Sequence, residues 1–217
     1  MNTPIIDFNN PFGPTRTRWD ELKETLSTIV ELATILDQNG IDIYFLNRGT
    51  LRNVSNLTTI NEAFQAPPEG GTPIATTLQQ VIKESKESLG EKKLLIIICT
   101  DGQPTDSKNN VDIQGLKTVM NTQRNPIDRI YTTFVACTDD DETIKYLNKW
   151  DKEMKHVDVI DDYISERKEV VEAQGPDFTF TRGDYIVKIL LGSIVPEIGG
   201  LDKKKSSGNN TSSCIIL

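Results

Sequence analysis

The chain has 217 residues, enough for one compact domain with a real core plus a tail, and carries 24 Lys+Arg against 32 Asp+Glu, a net charge of -8. That sign speaks against a nucleic-acid surface, which needs cations to displace counterions from phosphate. Hydrophobic residues make up 36% of the chain. They gather into periodic segments, a pattern opposed to disorder along its length.

In chain order, residues 1–16 are rich in Pro, Asn and Gly and read as a loop. Leu22, Leu26, Ile29, Val30, Ala33 and Leu36 then share one helical face, with Gly40 as a stop. A strand is expected over 41–46 and a weaker one over 51–57, followed by the loop 65–71. Thr72 has N-cap chemistry and Pro73 suits a first turn, so a second helix is expected to open there and to end at Gly90. Leu94-Leu95-Ile96-Ile97-Ile98-Cys99 is almost unbroken apolar sequence, as in a strand covered on both faces. Beyond it come a helix over 113–122, a strand over 130–137, a helix over 140–154, a strand over 156–160 and a helix over 164–173. A last apolar segment covers 185–195. This alternation predicts an α/β fold of three layers, a doubly wound, mostly parallel sheet between helices. From Gly199 onward Gly, Ser, Asn and Lys dominate, so the domain is expected to occupy 1–196 and a flexible tail 197–217.

Three cysteines, with neither a disulfide framework nor zinc spacing, point to a reducing compartment, the cytoplasm. The start Met1-Asn2-Thr3-Pro4 has no signal-peptide pattern, and no apolar run approaches the ~20 residues of a membrane span. His156 is the only histidine, and it follows Lys155 at the start of a strand. A structural role suits it better than nucleophilic catalysis. Phosphate-cradling glycine loops are absent from the sequence. The chain therefore reads as no enzyme. Trp19 and Trp150 lie on amphipathic helices as packing residues, and Asp139 to Glu142 suit a helix N-terminus.

Open parallel sheets bind ligands at the carboxyl ends of their strands. Two polar loops are expected to meet there: Gly70-Gly71-Thr72-Pro73 before the second helix, and Thr100-Asp101-Gly102-Gln103-Pro104-Thr105-Asp106 after the most apolar strand. A hydroxyl and a carboxylate are hard oxygen ligands of the kind Mg²⁺ accepts. Taken separately, Thr72 reads first as a helix cap and Asp101-Gly102 first as a turn, ahead of a metal site.

In this order and context, Gly70-Gly71-Thr72-Pro73 and Thr100-Asp101-Gly102 resemble the von Willebrand factor A domain, over residues 1–195. The resemblance implies a Rossmann-like fold and a metal-ion-dependent adhesion site with Thr72 and Asp101 as ligands of Mg²⁺ or another divalent cation, and Gly102 as the turn residue. Asp106 is not among the family's ligands. The family's central Asp-x-Ser-x-Ser motif, at the end of its first strand, has no counterpart here. The expectation is therefore a sheet lacking that strand, a low metal affinity, and a chain of poor stability unless another segment takes the vacant place.

The final Cys214-Ile215-Ile216-Leu217 fits a prenylation box, with Leu217 favouring geranylgeranyl and Cys214 as the lipidated residue. One lipid holds a membrane marginally, and Lys203-Lys204-Lys205 supplies a weak basic patch. Three readings follow. The first is a non-catalytic protein-binding module whose metal takes a partner's acidic side chain, brought to the cytosolic face of a membrane by its tail. The second is a metal-free scaffold that has lost the site. The third is a metal-assisted hydrolase.

Overall fold

A computed structural model of the chain describes residues 4–5, 16–90, 92–138 and 140–204. Where a loop is expected, the short strands β1 (Pro4–Ile5) and β2 (Arg16–Thr17) pair antiparallel. Helix α1 (Arg18–Leu36) starts from a capping box. The Asp20 amide donates to the Thr17 hydroxyl, and the Thr17 amide donates to the Asp20 carboxylate at 2.8 Å. Strands β3 (Ile41–Tyr44) and β4 (Thr50–Val54) form an antiparallel hairpin. Helix α2 (Leu57–Ala63) was not anticipated. Its signal lies in Asn56, whose side chain accepts from the Thr59 amide, and in Ile60 and Phe64, which are buried one turn apart.

Helix α3 (Ile74–Leu89) leads to β5 (Leu94–Thr100), then α4 (Ile113–Thr122), β6 (Ile130–Ala136), α5 (Asp141–Glu153) and β7 (Val157–Ile160). Helices α6 (Tyr163–Gln174), α7 (Arg182–Leu191) and the short α8 (Pro196–Gly199) complete the order. Strands β5, β6 and β7 make a parallel sheet in that order, with Leu94 opposite Ile130 and Thr132 opposite Val157.

Side-chain alternation along the strands fills two cores. On one face Ile97, Cys99, Val135 and Ile160 pack with Trp19, Leu22 and Val30 of α1, Val170 of α6 and Ile186 and Ile189 of α7. On the other, Ile96, Ile98, Phe134 and Val157 pack with Leu78 and Ile82 of α3, Leu116 and Met120 of α4, and Leu147 and Trp150 of α5. Helices thus cover both faces of a parallel sheet, the α/β architecture that the alternation predicts. Trp19 and Trp150 are packing residues, one in each core.

The sheet is divided. Ile41, Ile43 and Phe45 of the β3 segment enter the first core, and Leu46 packs against the second. These are the cores that β5 lines, yet β3 pairs only with β4 and β5 only with β6. Among the described residues, one edge of β3 and one edge of β5 have no ladder partner. Burial reflects this. All seven residues of β6 are buried, but in β5 only Ile96 and Thr100 are, the rest being half-buried. Both faces of β5 are covered as expected, by one core each, and the half-burial comes with its unpaired edge. Strand β6 has a strand on each side, and β5 has one.

The packed chain also continues past the expected boundary at 196. Leu201 lies against the first core, and Lys203 pairs with Asp151 at 2.7 Å. Cys214 and the rest of the prenylation box lie outside the described residues.

Candidate functional site at the carboxyl edge of the sheet

Three loops converge where β3 and β5 end. Asn47, three residues beyond β3, donates through Nδ2 to the carbonyls of Glu69 at 2.7 Å and Gly71 at 2.6 Å. Thr72 and Thr105 then bind each other twice. The Thr72 amide donates to the Thr105 hydroxyl at 2.8 Å, and the Thr105 amide donates to the Thr72 carbonyl at 2.9 Å. The two loops expected to meet are thus joined by hydrogen bonds, and the ends of β3 and β5 face the same edge. Gly71 is required by this closeness, since a Cβ there would collide with the Asn109 side chain and come within 2.9 Å of the Thr105 hydroxyl. Gly70 takes φ +91, the left-handed region open to glycine.

Thr72 is not the cap of α3. Pro73 occupies that position and has no polar side chain to cap with, while the Thr72 carbonyl accepts from the amides of both Ile74 and Thr105. Its hydroxyl is therefore not tied to the helix end. Asp101 follows β5 directly and is half-buried, with Gly102 beside it. The Thr100 hydroxyl, on a buried residue, donates to the Gly102 carbonyl at 3.0 Å and accepts from the Gly102 amide at 3.3 Å, which shapes the turn that carries Asp101. Asp106 organises the loop itself. Its carboxylate accepts from the Lys108 amide at 2.7 Å and the Asn110 amide at 2.9 Å, and the contacts to Asn110 hold it below the usual carboxylate range.

Further along the edge, Cys137 follows β6 directly, and its amide donates to the Thr100 carbonyl at 2.7 Å. Beside it, Arg18 at the start of α1 pairs with Glu21 at 2.8 Å and with Asp162 at 3.0 Å, all three being buried. These residues, with Thr25 and Tyr185, line a partly open pocket of about 10 Å³, room for one water-sized molecule. Burial pushes the Cys137 thiol well up and Cys99 up to about 12, so neither offers a thiolate. His156 stands at the amino end of β7, the opposite edge, with its ring 4.5 Å from that of Tyr131. Burial lowers its pKa, and its carbonyl accepts from the Thr132 amide and from Arg124.

Sequence reasoning missed Asn47 and Thr105, which hold the loops together. Gly71 was the available signal, since a glycine just before a helix marks a close approach. It also missed the buried charges Asp158 and Lys188, each standing within an apolar run, Val157-Asp158-Val159-Ile160 and Tyr185 to Leu191.

The Thr72 hydroxyl and the Asp101 carboxylate are two hard oxygen donors on loops that touch, which suits Mg²⁺ in type. In number they leave most of an octahedral shell to water or to a second molecule. Among the described residues, no three His, Cys, Asp or Glu side chains form a group that holds a metal. No protein-family model, curated protein or solved structure matches this chain. The fold itself defines a mixed α/β protein, a three-stranded parallel sheet flanked by helices. No helix among the described residues is long and apolar enough to cross a membrane.

Proposed function

We propose that the chain is a non-catalytic protein-binding module of the von Willebrand factor A type, acting in the cytoplasm and carried to membranes by a prenylated Cys214. The observation that carries this reading is the paired hydrogen bonding of Thr72 with Thr105, which brings the 70–73 loop to the loop of Asp101 at the carboxyl edge. The divided sheet supports it as well. Among the described residues, one edge of β3 and one edge of β5 have no ladder partner although the two strands share cores, as a sheet without one central strand would have.

In this reading the Thr72 hydroxyl and the Asp101 carboxylate hold Mg²⁺ or a similar cation. The bound cation supplies positive charge for a carboxylate of the partner protein. The chain's own residues do the positioning: Thr105 fixes the Thr72 backbone, Thr100 and Gly102 fix the turn at Asp101, and Asn47 fixes the 69–71 stretch.

Thermal unfolding in 10 mM MgCl₂ and in EDTA tests the proposal. A site of about 1 mM affinity stabilises the fold by ~1.4 kcal/mol under those conditions, which raises Tm by about 3–5 °C in a domain of this size. The shift is expected to vanish in Asp101→Ala. A shift that survives Asp101→Ala, or none at all, rejects the metal site. A metal-free scaffold with the same fold then becomes the better account.

A further inference from the structure

Asp158 is a charged residue in the middle of β7 that neither core accommodates. It is 3% exposed, on the face covered by α6 and α7, and its Oδ2 has no hydrogen-bond partner. Two glycines form its cover. A Cβ at Gly192, the C-cap of α7, would overlap Oδ2. A Cβ at Gly199, the end of α8, would come within 3.3 Å of Oδ1 and 2.6 Å of the Gly192 carbonyl oxygen. The segment 196–204 therefore closes directly onto the carboxyl group.

Besides the packing of Leu201 against the first core, that segment is held by a few polar ties. The Leu201 carbonyl accepts from Gln174 at 2.7 Å, Asp202 pairs with Lys188 at 2.9 Å, and Lys203 pairs with Asp151 at 2.7 Å. The charges facing Asp158 are Asp151 from α5, Glu166 from α6, Lys188 from α7, and Asp202 and Lys203 from the segment itself. With Asp158 neutral, three carboxylates meet two lysines in this cluster. With it ionised, four do. The extra charge has no partner of its own and lies under the lid.

We propose that residues 196–204 form a proton-sensitive strap, closed over the neutral Asp158 carboxyl and released when that carboxyl ionises. Burial, opposed in part by Lys188, pushes the Asp158 pKa up to about 7. Opening the strap admits water and returns the group toward the ordinary carboxylate range, so opening releases a proton. The opening constant then rises by at most about tenfold per pH unit between that range and about pH 7, and levels off above it.

Hydrogen–deuterium exchange on the full chain tests this, at steps from pH 5 to pH 8 with correction for the intrinsic rate. The probes are the amides of Ile198 and Gly199, which donate to the Val195 carbonyl, and of Gly200, Leu201 and Lys203, which donate to carbonyls within the strap. Their protection is expected to fall several-fold per pH unit up to about pH 7 while β6 amides hold, and to become flat in pH in Asp158→Asn. Carboxyl-carbon NMR of Asp158 in the unsubstituted protein provides a second measurement, with a midpoint near 7 expected. Strap protection that is flat in pH, a slope that persists in Asp158→Asn, or titration of Asp158 with no change in strap exchange overturns the proposal.

Discussion

Replacing Lys188 with methionine keeps the length of the side chain and removes its charge from a site with no solvent. Lys188 is 0% exposed, and its ammonium lies 2.5 Å from Glu166, itself 2% exposed, and 2.9 Å from Asp202. Burial works against the lysine's charge, but Glu166 and Asp202 outweigh it and hold its pKa above the ordinary value. Removing one partner of a buried pair costs about 3–5 kcal/mol, because the other charge stays buried without compensation. Here the cost depends on pH in a definite direction. Burial raises the pKa of Glu166, and raises Asp158 to about 7. A carboxyl with a raised folded pKa binds more protons in the native than in the unfolded state, so its contribution to stability falls as pH rises. Loss of the lysine raises both further. Lys188→Met is therefore expected to lose about 4 kcal/mol at pH 8, and about half of that or less at pH 5, where both carboxyls accept protons. Urea unfolding followed by circular dichroism at the two pH values measures it. Lys188→Met/Glu166→Gln is expected to recover much of the loss at pH 8. Equal losses at both pH values, or no recovery in the double variant, refute the reasoning.

Thr105→Val leaves the Thr72 amide without its acceptor and is expected to cost about 1–2 kcal/mol in urea unfolding; a loss below about 0.3 kcal/mol means that the pair does not hold the loops. Incubated with geranylgeranyl diphosphate and its protein transferase, the full chain is expected to gain one lipid by mass spectrometry, and Cys214→Ser none. An unmodified parent chain removes the tail proposal. Within β5, every second amide faces β6 and the others face the open edge, so hydrogen exchange is expected to alternate between protected and fast residues along Leu94–Thr100. Uniform protection means that another segment pairs with that edge.

Elements with strong periodicity were legible in the sequence to within a residue or two, because one face of each must find a core. Helix α4 runs from Ile113 to Thr122 as its apolar spacing requires, and β6 fills the Ile130–Ala136 run. Helix α2 was not legible, since its seven residues carry one fully buried side chain, Ile60, and its start depends on the local Asn56 cap. At the site, the meeting of the Gly70–Pro73 and Thr100–Asp106 loops was legible, the first lying just before a helix and the second just after the most apolar strand, although the first joins α2 to α3 rather than a strand to a helix. The agents of the meeting, Asn47 and Thr105, were not legible, since a hydrogen bond between residues 33 positions apart leaves no pattern in a linear sequence. Buried charge was missed for a related reason. Asp158 and Lys188 each interrupt an apolar run, but only the folded chain shows that Lys188 faces Glu166 and Asp202 while one Asp158 oxygen is unpaired.

The divided sheet links the stability of the fold to the geometry of the site. Strand β5 carries the Asp101 turn on its carboxyl end, and β3 carries Asn47 on its own. With no ladder between these strands, their relative position rests on the cores above and below and on the hydrogen bonds that cross between the loops. Each backbone group left unpaired along the open edges costs about 1–3 kcal/mol where water is excluded. Any strand that paired there would recover that energy and hold β3 and β5 at ladder spacing, ~4.8 Å on each side of it. The separation of the 70–73 loop from Asp101 would then be set by the sheet as well as by Thr105. Without such a strand, Asn47 and Thr105 hold the loops alone, and cation affinity should respond to Thr105→Val as strongly as to loss of a ligand. With it, the two effects separate: Thr105→Val then acts on local stability, and Asp101→Ala on the cation.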